Sequence, residues 1–100
     1  MAKKIASPKA VRPACKPIVD YPREGEIVRP GHYSIRLTAA GAGQVQARLN
    51  AGEWSDCREA VGHHWFDWTP VVGPVLIEAR ARIGKGRWTA APARACVVSA

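Results

Sequence analysis

From Val75 to Ile83 the chain alternates with period two. Val75, Ile77, Ala79, Ala81 and Ile83 fall on one side, and Glu78, Arg80 and Arg82 on the other. A helix would scatter those charges around its circumference, so this run reads as a strand with one face buried. Two more segments share the pattern. Tyr33, Ile35, Leu37 and Ala39 alternate with Ser34, Arg36 and Thr38, and Val45, Ala47 and Leu49 alternate with Gln44, Gln46 and Arg48. Half-buried alternation of this kind belongs to antiparallel sheets.

Punctuation sets the length of the elements. Pro and Gly break every long helical window, and Ile plus Val outnumber Leu by 16 to 3. Further strands are expected at Pro17–Tyr21, Glu26–Arg29, Glu53–Arg58 and His63–Trp68, and a last one runs through Arg87–Ala90 and Ala93–Ser99, interrupted by Pro92. Pro30-Gly31 suits the centre of a type II turn. Asn50-Ala51-Gly52 and Gly84-Lys85-Gly86 read as hairpin loops. Pro92 calls for a bulge, or for a last strand that changes sheet. Seven or eight short strands in this length predict an all-β, antiparallel two-sheet sandwich of immunoglobulin-like type. A small barrel is the alternative, and the proline interruptions weigh against its continuous pairing.

The charge divides the chain in two. Of the formal +7, Lys3, Lys4, Lys9, Arg12 and Lys16 supply five charges before Ile18, with no acid among them. The rest of the chain carries ten bases and eight acids. Residues 1–16 are therefore expected to be a disordered basic tail, interrupted by prolines and short of large apolar groups. Residues 17–100 are expected to be the folded domain. Those five cations are candidate polyanion contacts, but no aromatic residue lies among them to stack on bases.

Several chemistries have no support in the residues. No apolar window is long enough to span a bilayer, and no signal-peptide pattern follows the first lysines, so a cytoplasmic protein without membrane contact is expected. Cys15, Cys57 and Cys96 form no Cys-x-x-Cys pair and read as free thiols; a Cys57–Cys96 bridge would need adjacent strands. His63 and His64 point to opposite faces of a strand and suit no single metal ion. Ser34, Ser55 and Ser99 lie in no nucleophile-elbow motif, and no phosphate-binding glycine loop is present. The expectation is a non-catalytic module with neither cofactor nor metal.

The aromatic residues are the best candidates for a binding surface. Ile, Leu, Val and Phe total only 20, so the four Trp carry much of the apolar area. Trp54, Trp65, Phe66, Trp68 and Trp88 are the candidate contact residues, with Phe66 and Trp68 on one face of their strand and Trp65 on the other. Trp54 and Trp68 are expected to cover the core. Ile35, Leu37, Val45, Leu49, Ile77 and Ala79 are expected to fill it. Arg36, Arg48, Arg80 and Arg82, with Glu78, are expected to form a mixed solvated surface.

Three runs resemble immunoglobulin-like early-set domains: Val45 to Trp54, Trp65-Phe66-Asp67-Trp68, and Gly73 through Ile77 to Ala81. The arrangement is similar to the dimerisation domain of sulfite oxidase-type molybdenum enzymes and, more loosely, to glycogen- and starch-binding modules. Ala51 stands where that turn usually has a glycine. The resemblance implies a sandwich and a binding role. A protein partner or self-association (a homodimer) comes first, an α-glucan carbohydrate second, and a nucleic acid last, through the tail.

Overall fold

The computed structural model describes residues 15–100. They form ten strands: β1 (Ile18–Tyr21), β2 (Ile27–Val28), β3 (Tyr33–Thr38), β4 (Gln44–Leu49), β5 (Ser55–Asp56), β6 (Arg58–Ala60), β7 (His63–Trp68), β8 (Gly73–Arg82), β9 (Thr89–Ala90) and β10 (Arg94–Val98). The larger sheet runs β2-β10-β8-β4-β5, with β9 also paired to β8, and the smaller runs β1-β3-β7-β6. All pairs are antiparallel except β2 with β10. This is the all-β two-sheet sandwich expected from the alternation. Among the described residues no helix is long and apolar enough to cross a membrane.

The period-two faces form the core. Ile35, Leu37, Val45, Ile77, Ala79 and Ala81 are buried between the sheets, and Trp68 joins them from β7. Leu49 packs against this core only half-buried. Ile83 breaks the pattern and is exposed, because β8 ends at Arg82 and the chain turns away. Cys15 and Pro17 are both buried, with exposed Lys16 between them.

Two local corrections matter for the outer surface. The single strand expected at 53–58 is two: β5 pairs with β4 in the larger sheet, and β6 pairs with β7 in the smaller. The chain changes sheet at Cys57, whose N–H donates to the Val45 carbonyl. Pro92 produces a bulge rather than a change of sheet. Ala90 pairs with Arg80 and Arg94 with Ile77, so one extra residue is accommodated between β9 and β10. The cysteines are free. Cys96 lies on β10 and Cys57 follows β5, three strand spacings away, or roughly 14 Å, too far for a bridge.

The turns carry visible strain. Val61 and Gly62 join β6 to β7, both with positive φ (53° and 78°), as a type I′ hairpin requires. Gly62 suits this conformation; Val61, β-branched and 90% exposed, does not. Asn50 and Ala51 also have positive φ, 50° and 59°. Asn50 repays this by anchoring β8. Its N–H donates to the Leu76 carbonyl, and its Oδ1 accepts from the Leu76 N–H at 2.8 Å.

Candidate interaction surface

The outward residues of the larger sheet form two distinct halves. In the first, guanidinium groups and indole rings alternate in one stack. Arg48 lies 4.5 Å from the Trp54 ring centre and Arg80 4.2 Å from it; Arg80 is 4.1 Å and Arg82 4.2 Å from the Trp88 ring centre. Each indole thus has two guanidinium groups against it, and the attraction is that of a cation for the ring quadrupole.

Strand pairing explains the order. Arg48 stands opposite Glu78, Gln46 opposite Arg80, and Gln44 opposite Arg82. Arg48 makes a two-pronged ion pair with Glu78, with its Nε 2.9 Å from Oε1. Arg80 and Arg82 donate instead to the amide oxygens of Gln46 and Gln44. Both glutamine amides in turn donate to Asp56 Oδ1 at 2.9 and 3.0 Å, which holds its carboxyl below the usual carboxylate range. Trp54 arrives from the loop before β5 and Trp88 from the loop before β9, so the stack pins both connections to the sheet.

The second half is aliphatic. Ile27, Leu76 and Val97 are outward and exposed (69%, 42% and 44%), and register brings them together, with Val97 opposite both Ile27 and Pro74, and Ala95 opposite Leu76. Leu76 and Val97, with Pro74, Ala95, Asn50 and Gly25, line an open groove of about 360 Å³.

The five candidate aromatic residues are thus not one surface. Trp54 and Trp88 lie in the stack. Trp54 does not cover the core as expected, because its ring is held outside the sheet between Arg48 and Arg80. Trp65 is on the outer face of the smaller sheet, where its Nε1–H donates to the Ala60 carbonyl at 2.8 Å. Phe66 and Trp68 face inward. The arginines divide likewise: Arg36 belongs to the smaller sheet, paired with Asp20 and stacked 4.8 Å from Tyr21. Lys3, Lys4, Lys9 and Arg12 lie outside the described residues; Lys16 is exposed beside buried Pro17.

Two polar clusters went unseen in the sequence. On the smaller sheet Ser34 Oγ–H donates to Asp67 Oδ1 at 2.9 Å, and His32 Nε2 lies 3.2 Å from that oxygen of Ser34. The trio has the composition of a hydrolase triad but not its wiring. The serine proton is directed at a carboxylate, and Arg58 grips that same Asp67 with two hydrogen bonds. Arg58, then Ser34, holds the Asp67 carboxyl down at about 2, which makes it a poor base. At the seam between the sheets, Gln44, Asp56, Cys57, Glu59 and His64 line a pocket of about 240 Å³. Burial pushes the Cys57 thiol up to about 12, so it is not an activated nucleophile. Among the described residues no three His, Cys, Asp or Glu side chains are grouped to hold a metal ion.

No protein-family model matches the chain, and no curated protein matches it. Solved structures do. The chain is similar to the fibronectin(III)-like modules of Clostridium thermocellum CbhA, with a TM-score of 0.70 and 18% identity over 82% of this chain and 93% of that one. It is also similar to part of an engineered protein, with a TM-score of 0.69 and 14% identity over 84% of this chain. The match spans 20% of that longer chain. At such identities the likeness defines the fold: this is a fibronectin(III)-like, immunoglobulin-like all-β sandwich.

Proposed function

We propose that the protein is a non-catalytic contact module that binds another protein through the outer face of its larger sheet. One observation carries this reading. Ile27, Leu76 and Val97 stand exposed together beside a face otherwise closed by stacked charge and aromatic groups. An aliphatic patch rimmed by polar residues marks an interaction surface. The resemblance of Val45–Trp54 and Trp65–Trp68 to a dimerisation domain supports protein contact as the class. Three free thiols are in keeping with work in the reducing cytoplasm.

The carbohydrate reading comes second: it rests on the Trp-rich strand, of which Trp65 alone lies on an outer face, while Trp54 and Trp88 are already engaged by arginines. Contact with a polyanion through Lys3, Lys4, Lys9, Arg12 and Lys16 rests on composition alone.

The test is a contact assay on the full chain. Sedimentation measures self-association, and affinity capture followed by crosslinking maps partner contacts. Contacts should converge on Leu76 and Val97 and be lost in Leu76→Asp. Contacts that map to the smaller sheet, or that survive Leu76→Asp, would remove this assignment.

A further inference from the structure

Resting on that reading of the face as a protein contact, we infer that its occupant is an extended acidic segment of a partner protein. Aliphatic side chains of the segment fill the groove over Leu76, and its carboxylates meet the guanidinium groups of Arg80 and Arg82.

The charge of the face selects the sign. Only Arg48 of the three stacked arginines meets a carboxylate directly. Arg80 and Arg82 are held by neutral amide oxygens, which satisfy donors without cancelling charge. Arg82 donates through Nε alone, which leaves its two terminal nitrogens for a ligand. The loop that delivers Trp88 adds Lys85 and Arg87, and no acid occurs between Ile83 and Arg94. Against these five cations stand Glu53, Asp56 and Glu78. A guanidinium suits a carboxylate by geometry as well as charge.

The layout selects the shape. Leu76 and Arg80 lie on one face of β8, four residues apart, or about 13 Å at the rise of a strand. Both neighbours of β8 are occupied, by β10 and β4, so the segment cannot pair with β8 as a strand. It must lie across the side chains and be read by them. Six to eight extended residues reach from the groove to the cations, roughly 20–27 Å.

The same features disfavour the other occupants. An aliphatic groove offers a nucleic acid neither a ring to stack on nor a cation for phosphate. A second copy in a two-fold contact would set stack against stack, like charge against like, or groove against cations.

A fluorescent eight-residue peptide with one aliphatic and one acidic half tests this on the full chain by anisotropy. A charge-reversed peptide and a single-stranded oligonucleotide serve as competitors. The acidic peptide should bind at least tenfold tighter than its charge-reversed counterpart. Its binding should weaken as salt shortens the screening length from about 30 Å to about 8 Å. Leu76→Asp should lower the affinity about tenfold, the loss expected of an interface anchor, while melting like the parent. Arg82→Gln should abolish the preference for the acidic peptide. Equal binding of the two peptides, no binding of the acidic one, or oligonucleotide binding indifferent to Leu76→Asp would each overturn the inference. Self-association lost in Leu76→Asp would also overturn it, while leaving the face as the contact surface.

Discussion

The two halves of one sheet face solve the same problem differently. Outward positions of a sheet must be hydrated, paired or covered. In the half around Arg80, each ring is stacked with two guanidinium groups. In the half around Leu76, Ile27 and Val97 meet no such partner. The backbone beneath is continuous, since Leu76, Glu78, Arg80 and Arg82 are successive outward residues of β8. The difference therefore comes from what the neighbouring loops deliver. Trp54 and Trp88 reach one half, and the other keeps Ile27, Leu76 and Val97 exposed. The closed half contributes to stability, and the open half is the surface proposed for a partner.

The sharpest way to break this comparison uses adjacent residues of β8. Ile77 is fully buried beneath the face. Ile77→Asp should abolish the cooperative unfolding transition, because an unpaired charge in the core costs several kcal/mol, about the whole stability of a small domain. Leu76→Asp should leave the thermal midpoint within a few degrees of the parent. If both melted alike, the inward and outward faces would be wrongly assigned.

Next comes the stack itself. Trp54→Ala removes contacts with two guanidinium groups and should cost about 2 kcal/mol in denaturant unfolding. Arg80→Lys should recover little of the loss seen in Arg80→Ala, because an ammonium cannot stack flat on two rings. A double-mutant cycle on Trp54 and Arg80 should return a coupling of about 1 kcal/mol. Additive losses would mean that the stack is an accident of packing.

Smaller effects are expected at the turns. Ala51 precedes the closed half and sits at a φ of 59°. Ala51→Gly should stabilise the fold by up to about 1 kcal/mol, since left-handed backbone costs roughly that for an L-residue. Val61→Asn should do the same at the other hairpin, as Val61 packs against nothing and is 90% exposed. No gain at either site would show that the strain is relieved in ways the backbone does not reveal.

The smallest effect extends the comparison to the smaller sheet. Its outer face is closed by ion pairs, with Arg58 on Asp67 at 2.7 Å. Asp67 is held at about 2, below the ordinary 3.8. A carboxyl with a depressed folded value stabilises above its unfolded value, so the contribution is present above about pH 4 and fades towards pH 2. Asp67→Asn should flatten the stability profile between those limits, with a small loss present at neutral pH and absent near pH 2.

Much of the fold was legible in the sequence. Six of the ten strands coincide with expected runs almost residue for residue, because each strand with one buried face writes a two-residue period. Phe66 and Trp68 were correctly placed together, and His63 and His64 correctly set on opposite faces. The interaction surface was less legible. Trp54 was expected to cover the core and instead stacks outside, since it sits in a loop where no period fixes its direction. Arg48, Arg80 and Arg82 were correctly read as outward, and they were the available signal: three outward cations on long side chains seek either water, acids or rings. The trio His32, Ser34 and Asp67 had no local signature, as Asp67 is 33 residues from Ser34.

The sequence by itself determined the strand class, the buried face of each long strand and the places where turns must occur. These follow from side-chain alternation and from the backbone preferences of Gly, Pro and Asn, which act over a few residues. Only the tertiary structure decided which outward groups meet. Alternation says which way Arg80 points, but strand order decides that Gln46 is its neighbour and that Trp54 and Trp88 arrive on either side of it. Strand order is fixed by packing across the whole domain, so the closed stack and the open groove exist only once the chain has folded.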